Sequence, residues 1–120
     1  MKKEDKQLLL QDLCARLLCH VIVEYCESKA DFTEYHRSLK WENCKPYLRP
    51  MSRMTTEEKA QVQTFMDIIT DENYGDGYSP SAWDAMNGFV QYCDSHYLDH
   101  RGLIFRGLAL EATEGMYQTI

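Results

Sequence analysis

The stretch His20-Val21-Ile22-Val23-Glu24-Tyr25-Cys26 (HVIVEYC) decides how this chain is read, because the spacing of apolar residues changes there. Val21, Val23 and Tyr25 point one way, and His20, Ile22 and Glu24 the other. That alternation, rich in β-branched residues, reads as a strand. Just upstream, Leu8, Leu9, Asp12, Leu13, Arg16 and Leu17 keep a helical period, with Leu9, Leu13 and Leu17 on one face. A helix is therefore expected over about residues 4–18.

Downstream, ESKADFTEYHRS (27–38) is polar and reads either as a hairpin connection or as a strand containing Phe32, Glu34 and His36. LKWENCK (39–45) alternates again, with Leu39 and Trp41 opposite Lys40, Glu42 and Cys44, and is expected to be another antiparallel strand. KPYLRPM (45–51) holds Pro46 and Pro50; each removes a donor and restricts the preceding residue, so an extended connector follows. Thr55 with Glu58 three residues later is a capping-box signature, starting a helix whose apolar face is Val62, Phe65, Met66 and Ile69 and whose end falls near Thr70. Asp71–Gly77 reads as a loop, and Ser79-Pro80 as an N-cap and first-turn proline. Trp83, Met86, Val90 and Cys93 then read as the stripe of a buried helix face, and Leu108 with Leu110 as a final strand. Thr113-Glu114-Gly115 is expected to turn into a short tail. The expected fold is α+β: an N-terminal helix, a small antiparallel sheet, two further helices packed on one face and a short C-terminal strand. With no repeat or linker, residues 1–120 are expected to form a single domain.

Composition narrows the function classes. The chain has 120 residues, a net charge of −6 and five cysteines at positions 14, 19, 26, 44 and 93. An odd count without C-x2-C pairs points away from a secreted disulfide framework and toward free, largely buried thiols in a reducing cytosol. Around the leucine run, Glu4, Asp5, Lys6, Gln11 and Asp12 mark an amphipathic helix and no signal-peptide core, so a cytoplasmic protein without membrane attachment is expected. Acidity disfavours general nucleic-acid affinity. The charge is uneven, however: residues 36–53 carry five Lys/Arg against one Glu, and residues 54–120 carry three against eleven acidic residues.

Three groups of residues invite a site reading. In 36–53, Arg37, Lys40, Lys45, Arg49 and Arg53 are interleaved with Trp41 and Tyr47, the mixture that grips anions or single-stranded nucleic acid. The alternative puts Trp41 and Tyr47 in the core and leaves the cations to balance the acidic second half. Cys93, His96 and His100 fall at i, i+3 and i+7; on one continuous helix they lie within about 60° of each other and suggest a zinc site. The competing reading makes Cys93 a core residue and His100 a helix-end side chain. DENYGDGYSPSA (71–82) fails as a calcium loop, with Asp76 at the glycine position and Ala82 at the glutamate position. No nucleophile elbow, phosphate loop or H-E-x-x-H motif is present, so no catalytic residue and no cofactor is assigned.

Three blocks, LLLQDLCARL (8–17), KPYLRPMSRMTTEEK (45–59) and DHRGLIFRGLALEATEGMY (99–117), together resemble small uncharacterised proteins of gut anaerobic bacteria and their phages or mobile elements. That pattern has tyrosine at the His100 position and histidine at the Tyr97 position, and it covers little of residues 18–44. The resemblance supplies no catalytic residues and implies an accessory role. The expectation is a non-enzymatic cytosolic accessory protein that binds another protein through an acidic surface. The alternative is anion or single-stranded nucleic-acid binding through 36–53; a metal-dependent enzyme comes third.

Overall fold

The computed structural model describes residues 1–70 and 80–117. Helix α1, Lys3–Ala15, carries Glu4 and Asp5 in its first turn, where they complement the helix dipole. It buries Leu9, Asp12 and Leu13. The expected strand is β1, Ile22–Tyr25, and it folds back on β2, Ser28–Asp31, with Tyr25 opposite Ser28. The two turn residues, Cys26 and Glu27, have φ of 50° and 65°. Positive φ at both central positions gives the twist that joins antiparallel strands tightly. A strand through Phe32, Glu34 and His36 does not form. Asp31 accepts hydrogen bonds from the Thr33 and Glu34 amides and starts a one-turn helix, α2, Phe32–Tyr35.

The second expected strand is displaced. Residues Trp41–Asn43 form a short 3-10 helix, and the strand β3 is Lys45–Leu48, inside the segment read as a connector. Pro46 is tolerated because β3 pairs with the following strand only from Tyr47 onward, while Val23 lies opposite Pro46 on the other side. Strand β4, Leu110–Glu111, runs parallel to β3, giving the order β2-β1-β3-β4. The sheet is thus mixed where an antiparallel one was expected, and the class is α+β.

Leu9 and Leu13 of α1 join Val21, Val23, Phe32, Cys44, Leu48, Leu103, Leu108 and Ala109 in one buried cluster, with Leu17 and Trp41 packed against it. The helix that closes this core is therefore α1. Helices α3, Thr56–Ile69, and α4, Pro80–Ser95, pack mainly against each other, unlike the expected pair laid over the sheet. The capping box of α3 forms as read: Thr55 accepts the Glu58 amide and Glu58 accepts the Thr55 amide at 2.8 Å. Gly88 lets the two helices approach, since a Cβ there would lie 2.8 Å from Cε1 of Phe65. Asp71–Gly77 and the Ser79 cap lie outside the described residues. Gly115, with φ of 80°, and a Met116 amide bonded to the Thr113 carbonyl make the expected final turn. Among the described residues no helix is long and apolar enough to cross a membrane.

Candidate functional site

Two charged junctions tie the elements together. The first starts from Asp12 and Arg16, four residues apart on the apolar side of α1 and both fully buried. Arg16 donates to both Asp12 oxygens at 3.0 and 3.1 Å, and to the carbonyls of Cys93, Asp94 and Leu98 at 3.3, 3.2 and 2.7 Å. Arg101 closes the network, donating to Asp12 and Asp94 at 2.8 Å each. His100 Nε2 lies 3.0 Å from Asp94 Oδ1. Burial alone would raise the Asp94 carboxyl, but hydrogen bonds from His100 and Arg101 and the charges of both arginines hold it at about 2. Two aspartates and two arginines thus balance in the interior, which buried charge requires.

The second junction is a fork. Arg49 at the end of β3 meets both Glu58 oxygens at 2.7 and 2.6 Å and donates to the His96 carbonyl at 3.0 Å. The Arg49 hydrogen bonds, outweighing burial, and the Thr55 amide hold the Glu58 carboxyl at about 2. One guanidinium therefore fastens β3 to the start of α3 and the end of α4.

These junctions explain what happens to the basic segment. Arg37, Lys40 and Lys45 are exposed, Trp41 packs on the core cluster, and Arg49 is taken up by Glu58. Arg53 pairs with Glu111 at 2.8 Å, and Tyr47 sits beneath Lys29, whose Nζ is 5.3 Å from the ring centre. Arg49 and Arg53 share a groove of about 970 Å³ with Pro50, Thr55 and the 112–117 segment. Of the seven, Arg49 and Arg53 line this groove, and both already hold carboxylates.

Cys93, His96 and His100 are not brought together. Helix α4 ends at Ser95 and Tyr97 has φ of 61°, so no single helix carries all three. The break precedes Gly102, which turns the following loop with φ of 75°. Burial, with Asp94 nearby, pushes the fully buried Cys93 thiol up to about 11, far from a thiolate. His96 Nδ1 faces the Tyr92 carbonyl at 2.8 Å, with the two rings stacked at 4.0 Å, and His100 faces Asp94. The cysteines are free, but only Cys44 and Cys93 are buried; Cys14 and Cys26 are exposed, contrary to the expectation of mostly buried thiols.

Helix α4 departs furthest from its reading. Of the stripe Trp83, Met86, Val90 and Cys93, only Cys93 is buried; the first three are 50%, 44% and 36% exposed. Among its described residues, α4 buries Ala82, Ala85, Cys93 and Asp94. Exposed acidic residues Glu57, Asp67 and Asp84 accompany this ridge on the two helices, against one exposed lysine, Lys59. Comparison of the chain with protein-family models, with curated proteins and with solved structures gives no match.

Proposed function

We propose that this chain is a non-enzymatic binding protein that docks a protein partner on the outer face of the α3–α4 pair. The observation that carries this reading is the run of large apolar side chains on successive turns of α4, Trp83, Met86 and Val90, exposed on a helix pair whose exposed charged residues are Glu57, Asp67 and Asp84 against Lys59. Apolar side chains in a polar rim are the usual make-up of an interface core, and a tryptophan is a frequent anchor. The acidic rim favours a partner with Lys/Arg around an apolar strip, because opposite potentials speed encounter and like charges are penalised. For the same reason a second copy of this acidic chain is the poorer fit. An accessory role in the cytosol, of phage or mobile-element origin, is the setting that the resemblance implies.

Helical peptides with one leucine face test this, one with lysines on the other face and one with glutamates. Amide NMR shifts with the lysine peptide should map to α3 and α4 and weaken with salt. Met86→Glu with Val90→Glu should reduce that affinity about tenfold or more. Equal binding of the glutamate peptide, shifts elsewhere, or no binding of either peptide would overturn the reading. Self-association through this face in sedimentation would overturn it too, by assigning the ridge to a second copy.

A further inference from the structure

A separate cluster lies at the opposite end of the sequence pattern, where the loop after α1 meets the start of α2. His20, Asp31 and Glu34 each place one ligand atom there, an imidazole nitrogen and two carboxylate oxygens, all within 4.8 Å of one another. His20 Nδ1 and Asp31 Oδ2 are 2.8 Å apart. Ligands bound to zinc at its usual bond lengths stand roughly 3.3 Å from each other in a tetrahedron. The imidazole nitrogen and the Asp31 oxygen already face each other, and an ion would sit between them with the Glu34 carboxylate within 4.8 Å.

Supporting bonds hold the backbone at His20 and one oxygen of Asp31. The His20 amide donates to the Thr33 hydroxyl at 2.8 Å, and that hydroxyl donates to the Leu17 carbonyl at 2.5 Å. Asp31 divides its oxygens: Oδ1 accepts the Thr33 amide at 2.9 Å and the Glu34 amide at 3.4 Å, leaving Oδ2 for the histidine. Such outer bonds fix ligand orientation in metal sites. The part-buried His96 ring faces a backbone carbonyl and belongs to no such group among the described residues; His20 has two carboxylates beside it and is itself exposed.

We infer that His20, Asp31 and Glu34 form a surface site for a divalent transition-metal ion, with the remaining coordination positions open to water or to a ligand atom from outside. One imidazole with two carboxylates suits zinc, cobalt or nickel; magnesium and calcium prefer oxygen alone. The site is independent of the α4 ridge, so either assignment stands or falls without the other.

The test is titration of the metal-free full-length chain with Co2+ and then Zn2+, in a Cys14→Ser, Cys26→Ser background that removes the exposed thiols. One equivalent of Co2+ should give visible bands without sulfur charge transfer, Zn2+ should displace it, and the His20 ring protons should shift. His20→Ala and Glu34→Gln should each weaken binding about tenfold or more, the range for lost metal-site interactions. The metal-free melting temperature of Glu34→Gln should match that of the background protein, which separates ligand loss from misfolding. Binding that survives both substitutions, shifts at His96 or His100 instead, or no saturable binding would overturn the assignment.

Discussion

Arg16 carries a positive charge into a position with no solvent exposure, and five acceptor atoms surround it. Removing one partner of a buried ionic network strands the others, so the cost exceeds the net worth of the pair. Arg16→Leu leaves Asp12 with Arg101 alone and takes one of two donors from each of three carbonyls; it should lower unfolding free energy by about 3–5 kcal/mol in urea titrations. Arg16→Lys should recover little of that, because an ammonium cannot span a carboxylate and three separate carbonyls. A variant within 1 kcal/mol of the parent, on the order of a single hydrogen bond, would show that the network is dispensable. The spacing of Asp12 and Arg16 beside Leu9 and Leu13 was visible as a helical period. A charged pair on an apolar face was the signal that these residues were internal, and nothing local indicated that their partners lay beyond residue 90.

Between α3 and α4 the close packing depends on a missing side chain. Gly88→Ala improves helix propensity by up to about 1 kcal/mol, yet its Cβ would stand 2.8 Å from the Phe65 ring. Overpacking of this kind costs about 1–3 kcal/mol, so the net change should be destabilising and visible as a lower melting temperature. Combining it with Phe65→Leu should restore part of the loss, and a double-mutant cycle measures how much. Elements with a chemical signature were readable from sequence: Thr55 and Glu58 gave the α3 start, and the alternation around Val23 gave β1. The β1–β2 turn was not, because Cys26-Glu27 takes a conformation that Asn-Gly usually announces. Strand β3 was hidden by Pro46, whose lost donor matters only where a neighbour needs it. For α4, periodicity picked out an apolar stripe but took it as buried, whereas three of its four residues are exposed. Trp83, Met86 and Val90 face outward, while Gly88 and Tyr92 meet Phe65 of α3, the two rings edge-on at 6.0 Å.

At the scale of the whole molecule, two depressed carboxyls sit at the joints. Glu58 and Asp94 titrate at about 2 in the folded chain, against ordinary values of 4.5 and 3.8. A carboxyl lower in the folded than in the unfolded state stabilises above its unfolded pKa, and that stabilisation is lost as pH falls toward the folded value. Stability should therefore fall between about pH 4.5 and pH 2, followed by circular dichroism. Glu58→Gln should lower stability at neutral pH and flatten this acid slope; an unchanged slope would remove Glu58 from the account. None of this was legible in a net charge of −6, since which acids are paired is decided by contacts far apart in the chain.

The acceptors of Arg16 are Cys93, Asp94 and Leu98, at separations of 77, 78 and 82 residues. Tyr117 likewise donates to the Tyr47 carbonyl at 2.7 Å, across 70 residues. During synthesis the first helix leaves the ribosome long before these groups exist. Closure over such distances is slow and repaid only at the end. Until Cys93–Leu98 are made, Arg16 lacks three of its acceptors and its charge stays in water. Its locking therefore awaits the end of α4 and the turn after it, and cannot begin from the first helix alone.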